Sequence, residues 1–345
     1  MGGSPFPYTL SASNPAFVRP VTANYLGENF GTPYVQQYNF TVQQQIGHTM
    51  SLQVGYVGNA SRKLYTQRDA NTPLYIPGSS TSSNVNSRRQ YLPGTFGAIY
   101  ELELGANASC NSLQTTFTRR LARGFSLLAN YTWSRSIDIL SDDPTSISAV
   151  GFVNSNNLAL DRAVSSFNVP HVFSASWVWE APRVTRWGWL GREVLSGWQL
   201  DGIMTARAGQ PLNVTSGSDT NFDGNTNDRP NLVGNPVLSG DRPRSQLIAQ
   251  YFNTAAFATV SAGQLYGNAG RNILQGPAAV NWDISAFKIF PVTEHQAVQF
   301  RADIFNVFNQ VNFSNPNTTF SSGNFGKITA AASPRVFQFA LKYVF

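Results

Sequence analysis

Apolar and polar residues alternate with period two through nine segments of the chain, and each reads as a strand with one greasy side. The first sets Tyr38, Phe40, Val42 and Ile46 against Gln37, Asn39, Thr41, Gln43 and Gln45. The second, beyond the turn Gly47-His48, sets Met50, Leu52, Val54 and Tyr56 against Ser51, Gln53 and Gly55. Leu113, Phe117 and Leu121 then alternate with Gln114, Thr116, Thr118 and Arg120, and after Arg123-Gly124 come Phe125, Leu127, Ala129, Tyr131 and Trp133. Both pairs predict tight hairpins. Four more segments follow: Phe173 to Ala181, Trp198 to Ala206, Val280 to Ala286 and Val298 to Ile304. The ninth is the chain end, where Phe337, Phe339, Leu341, Tyr343 and Phe345 share a face. A terminus is ordinarily frayed and polar unless something ties it down. This one is expected to lie against something other than water.

The connections decide what the strands build. Gly47-His48, Arg123-Gly124, Arg183 to Ser196 and Pro291 to His295 are short, whereas those near 66 to 108, 139 to 169, 215 to 278 and 310 to 332 are long and rich in Gly, Ser, Asn, Asp and Pro. Short and long alternate strictly. Long structureless loops are unusual in a compact soluble domain but expected in an outer-membrane barrel, with short periplasmic turns and long extracellular loops. The pattern predicts an all-β protein, a transmembrane antiparallel β-barrel over residues 34–345, preceded by a loop segment, residues 1–33, on the extracellular side. Phe345 then falls at the inner interface as a girdle residue. The edge strand of a soluble β-sandwich is the alternative, and it leaves the loop alternation unexplained.

Nine is an awkward number, because bacterial single-chain barrels have even strand counts. The first and last strands both run toward the short-turn side, so they cannot pair antiparallel. Either Tyr100, Leu102 and Leu104 mark a tenth strand near Ala98 to Gly105, or strands upstream complete the barrel. The simpler expectation is that these nine or ten strands are the C-terminal part of a larger barrel.

Composition agrees. Aromatic residues make up 13% and charged residues only 12%, about half the charge of a typical soluble domain. A mean hydropathy of -0.19 speaks only against a helical membrane protein, since an alternating strand hides its apolar face in the average. No apolar run reaches the length of a membrane helix. The net charge of +6 is spread without a basic cluster, which argues against nucleic acid as a partner. The single Cys110 leaves no internal disulfide. MGGSPFPYTL lacks the basic and apolar regions of an export signal, so targeting is expected to be encoded elsewhere.

PYVQQYNFTVQQQIG with VGYVGNASRKLY, NSLQTTFTRRLARGFSLLANYTWSRSID, DRAVSSFNVPHVFSASWVWEAP, GWQLDGIMTARAGQPLNV, and NWDISAFKIF with FRADIFNVFN together resemble the C-terminal barrel of TonB-dependent outer-membrane receptors, the Oar-like group in particular. The resemblance runs from about Thr32 to Phe345. It implies a 22-stranded barrel embedded in outer-membrane lipid, closed by a plug domain and upstream strands, and ligand import coupled to TonB. The chain carries no segment resembling the plug. A non-transporting barrel for adhesion or surface structure, and a passive porin, are the other readings.

Candidate chemistry is sparse. In SDTNFDGNTNDRP, the residues Asp219, Asn221, Asp223 and Gly224 match the first half of a D-x-[DN]-x-[DN]-G calcium loop, with Asn225, Asn227 and Asp228 offering further oxygens. Pro230 stands where the bidentate Glu would be, and Asn, Asp and Gly are also what a plain polar turn prefers. Calcium is the only cofactor the sequence suggests. His48, His171 and His295 are isolated, and no nucleophile elbow, zincin, Walker or dinucleotide motif is present, so an enzyme is not expected. Gln43, Gln53, Arg120, Asp201, Arg207, Arg301 and Asp303 are expected to face a wet lumen, and Trp177, Trp179, Trp187, Trp189 and Trp198 to form an inner aromatic belt. A soluble core is the alternative for the tryptophans.

Overall fold

A computed structural model describes residues 19–28, 30–141, 152–182, 188, 194–261 and 263–345. The nine alternating segments are strands: β2 (Tyr34–Ile46), β3 (Met50–Asp69), β4 (Phe96–Ala122), β5 (Phe125–Asp138), β7 (His171–Glu180), β8 (Trp198–Arg207), β13 (Ala279–Pro291), β14 (Ala297–Phe305) and β15 (Val336–Val344). They form one antiparallel meander in the order β15-β14-β13-β8-β7-β5-β4-β3-β2. Two short strands join this sheet, β1 (Val21–Leu26), parallel to β4, and β6 (Ala163–Val164) on β5. Two miniature sheets pair β9 (Pro211–Leu212) with β12 (Leu274–Gln275), and β10 (Asn231–Leu232) with β11 (Phe257–Ala258).

Turn chemistry sets the register. Arg123 and Gly124 both have positive φ, 53° and 72°, which is the type I′ geometry whose twist suits a two-residue hairpin. Once the hairpins are fixed, cross-strand pairing sorts side chains into rows. Gln43, Gln53, Thr116, Asn130, Ser174, Thr205 and Asn281 are successive partners across seven strands and lie on one face. One step along, on the opposite face, Gln44, Leu52, Phe117, Ala129, Ala175, Met204 and Trp282 do the same. The apolar face is outward and bare: Phe40 is 71% exposed, Phe339 68% and Leu341 74%. A contiguous apolar surface of this size has to be covered by another phase or partner. Glycines deepen the packing on that face at two places. A Cβ on Gly202 would sit 2.3 Å from the Trp177 ring, and one on Gly58, which pairs with Tyr38 and follows Leu52, Val54 and Tyr56 on the same face, 2.2 Å from the Tyr38 ring.

The segment Ala98 to Gly105 is no separate strand. It is the upper half of β4, whose pairing with β3 continues past irregularities near Ser61 and Leu64 to Asp69 opposite Tyr100. Polar side chains hold this extension, with Arg68 bridging Glu101 and Glu103. The irregular connection is therefore 70–95, shorter than the expected 66 to 108. All long connections lie at one end of the sheet and all short ones at the other. The buried apolar residues, among them Phe152, Val153, Leu212, Val214, Phe252 and Phe257, belong to the long connections or the strand ends beside them. The middle of the sheet has no core.

Candidate functional site

The long connections pack into a lobe over the loop end of the sheet. Leu212, Val214, Phe252, Ala256, Phe257, Ala269 and Leu274 form its core, with Phe320 and Phe325 packed against them. Phe325 meets the rings of Phe252, Phe257 and Phe320 edge-on at 5.1, 5.7 and 5.4 Å. Such T-shaped contacts place a positive ring edge on a negative face.

Three buried Arg–Asp pairs clamp the lobe. Arg229 bonds Asp161 at 2.7 Å, Arg89 bonds Asp69 at 2.7 Å, and Arg271 pairs with Asp138 while donating to the Asp161 carbonyl at 2.7 Å. Burial raises the proton affinity of the Asp161 carboxyl, and the Arg229 charge and the Val153 N–H oppose that rise. None of these residues stood out in the sequence. Partners 68 and 133 residues apart carry no local signal.

The run 218–230 sits where three loops meet. Asp219 accepts the N–H groups of Asp223 at 3.0 Å and Gly224 at 2.9 Å, one on each oxygen. Asn221 accepts the Asp223 N–H at 3.0 Å and donates its amide to Asp223 at 3.1 Å, and Asp223 accepts the Asn225 N–H at 2.8 Å. Asp228 folds back to take the Thr220 N–H and hydroxyl and the Asn221 N–H on one oxygen. Its other oxygen, and the amide oxygen of Asn227, are buried without a partner. Neighbouring loops hold the run from outside. Arg88 donates to the Phe222 carbonyl, Tyr75 stacks on Phe222 at 6.5 Å, and Asn227 donates to the Phe152 carbonyl at 2.7 Å. Burial pushes the Asp223 carboxyl up to about 6, with the charges of Asp228 and Asp219 adding to it, and raises Asp228 as well. Among the described residues, no three carboxylate, imidazole or thiol groups converge closely enough to hold a metal on those groups alone.

Two large cavities lie under the lobe. One of about 780 Å³ is bounded by Trp133, Arg135, Arg242, Tyr251 and Phe252. The other, about 1090 Å³, reaches the polar row at Ser174, Thr205 and Asn281 and takes in Arg207 and Asp283. The three histidines stay apart. His171 begins β7 and shares a 2.9 Å hydrogen bond with Tyr131, while His48 and His295 sit in short turns.

The sequence profile of the outer membrane beta barrel domain matches residues 2–338. This chain belongs to that family. As an outer-membrane barrel it presents its bare apolar face to lipid and its polar row to the lumen. Trp177, Trp179 and Trp198 lie at the turn end, where the inner aromatic belt was expected; Trp187 and Trp189 fall outside the described residues. Trp198 meets Phe300 edge-on at 6.0 Å, and Lys288 reaches over Trp198 to the Val194 carbonyl.

No curated protein matches the outer-membrane barrel. Among solved structures it is similar to the outer-membrane transporter YddB of Escherichia coli, at 14% identity and a TM-score of 0.47, over 94% of this chain and 34% of that one. It is also similar to BauA, the ferric preacinetobactin receptor of Acinetobacter baumannii, at 12% identity and a TM-score of 0.43, over 90% and 29%. The chain thus spans about a third of the length of the solved proteins it matches.

Proposed function

We propose that this chain is the C-terminal barrel part of a TonB-dependent receptor that imports a bulky polar ligand, working with upstream strands and a plug. The observation that supports the reading is the direction of the two sheet edges that lack a neighbour among the described residues. β2 runs down to the Gly47 turn, and β15 also runs down from its long loop, so the edges are parallel to each other. An antiparallel barrel closes only when an odd number of further strands lies between them.

The lumen face adds support for a plug. Leu128, Ile203 and Ile289, which pairing places on that face, are 41%, 55% and 46% exposed. A water-filled pore gains nothing from bare leucine and isoleucine, whereas a plug would cover them. The cavity of about 1090 Å³ with Arg207 and Asp283 suits a polar ligand. On this reading the described residues before β2, 19–28 and 30–33, lie on the extracellular side, where β1 rests on the outer extension of β4; residues 1–18 of the expected loop segment fall outside the described residues.

The test is a denaturing immunoblot of the outer-membrane fraction, with an antibody to residues 219–228, alongside conductance of the purified protein in a planar bilayer. A species far heavier than 37.7 kDa that holds no steady open conductance supports the reading. A folded species at that mass, or a permanently open pore, overturns it in favour of an adhesin or a porin.

A further inference from the structure

We infer that the crevice between β5 and residues 237–252 seats the anionic, phosphorylated headgroup of a membrane lipid, with Arg135 as its principal cation and Trp133 beside the acyl chains. Seating it requires only that the apolar face meets a membrane, whatever the barrel transports.

Strand pairing puts one wall of this crevice on the lipid-facing side. Ala129 belongs to the apolar row, and Tyr131, Trp133 and Arg135 follow it on the same face of β5, opposite Thr115, Leu113 and Asn111 of β4. Val164 of β6 lies opposite Ile137, one step further along that face. Across the cavity of about 780 Å³ stands the segment 237–252 of a long connection, with Val237, Leu238, Leu247 and Tyr251 in the opposing wall. The crevice begins where the lipid-facing surface ends, and its apolar lining continues that surface. Its volume lies in the range of about 300–1,000 Å³ that takes small ligands.

The band around it has the chemistry of a boundary between hydrocarbon and water. Tyr38 and Tyr56 both donate to the Asn111 side chain, at 3.1 and 2.8 Å, and the Tyr131 hydroxyl is bonded to His171. Trp133 is 48% exposed and Val237 63%. Tyrosine and tryptophan gather at that depth because one end of each ring system is apolar and the other wants a polar partner.

Charge selects the headgroup. Arg135 is exposed and makes no hydrogen bond or ion pair with a described residue. Arg242, also in the cavity wall, donates to the Ser239, Gln250 and Tyr251 carbonyls at 2.7, 2.7 and 2.8 Å. Those acceptors are neutral, so its charge is not cancelled, and two of its five N–H donors remain. No carboxylate is among the described residues that line the cavity. Asp138 lies on the opposite face of β5 and is taken by Arg271. A phosphate accepts the parallel N–H bonds of a guanidinium. A soluble anion would leave Trp133 and Val237 bare, whereas a lipid covers them with its chains and brings the phosphate to Arg135.

The experiment is native mass spectrometry of the protein purified from outer membranes in detergent and stripped of lipid, with dioleoyl phosphatidate as the probe. One phosphatidate should be retained saturably, about tenfold more tightly than dioleoyl phosphatidylcholine. Arg135→Gln should remove most of that preference, and Arg135→Lys should keep most of it. Val237→Glu, which sets a carboxylate against the phosphate, should also abolish it. Arg335→Gln removes an exposed cation at the same end of the lipid-facing surface, over Phe337 and outside the crevice; it should bind like the parent. Parent protein without the preference overturns the inference. So does an equal loss in Arg335→Gln, which would reduce the effect to general attraction of anionic lipid, or displacement of phosphatidate by equimolar inorganic phosphate, which would make the ligand a soluble anion. If Arg135→Gln fails to assemble, Val237→Glu, an exposed change in a loop, decides: undiminished retention there overturns the inference.

Discussion

Replacing Arg229 by Met would test whether the loop lobe is held by its buried charges. Arg229 and Asp161 are 3% and 1% exposed, and the variant leaves the carboxylate with the Val153 N–H as its hydrogen-bond donor and the more distant charge of Arg271. Breaking a buried pair from one side costs about 3–5 kcal/mol. At about 1.4 kcal/mol per factor of ten, the lobe should open about a hundred to several thousand times more often. Hydrogen exchange read by mass spectrometry on peptides covering 152–170 and 213–235 would show this as lost protection, while the lipid-embedded strands stay protected. The deficit should depend on pH. The Asp161 carboxyl is already raised by burial, and losing the largest opposing charge raises it further. A carboxyl raised in the folded state favours folding once protonated, so the variant should regain protection as pH falls through that value and lose it again toward neutrality. Arg229→Met combined with Asp161→Leu should recover most of the loss, because no orphan charge remains. Unchanged exchange in the single variant, or a double variant as open as the single, would refute the reasoning.

Three further outcomes follow from the faces of the sheet. Met204→Arg, in the middle of the lipid-facing rows, should cost about 2–4 kcal/mol in denaturant titrations from lipid vesicles, whereas Thr205→Arg, facing the lumen, should cost far less. Equal costs would mean that the faces are misassigned. Gly202→Ala would drive a methyl into the Trp177 ring and should cost about 1–3 kcal/mol by overpacking, visible as a shifted tryptophan emission and a lower unfolding midpoint. Ile203→Lys should leave assembly intact if the lumen is wet, and should impair it if a plug covers that position, which limited proteolysis of the full-length protein would report.

Strands with one apolar face were legible because lipid enforces strict alternation on every second residue. Thus Leu52, Val54 and Tyr56, or Trp282, Ile284 and Ala286, could be read directly. Legibility stopped where the membrane stops. Residues 98–105 of β4 alternate only weakly, since Glu101 and Glu103 serve Arg68 in water and no lipid selects their neighbours. The two-residue strands β9 to β12 were invisible, as they are held by a core assembled from Leu212, Phe252 and Leu274, residues far apart in sequence. The polar run at 219–228 was readable from spacing; the fold-back of Asp228 and the flanking Tyr75 and Phe152 were not, because they come from loop packing. Leu128, Val178 and Ile203 stand on the lumen face among its polar residues and break the alternation there, so strand pairing and not the sequence pattern assigns them.

The clamps Arg229–Asp161, Arg271–Asp138 and Arg88–Phe222 bear on how such a surface can vary. A phage, toxin or antibody would meet a discontinuous epitope shared by several loops. Escape by changing one loop would strand a charge in another, so the loops are expected to be inherited, recombined and grafted as a set.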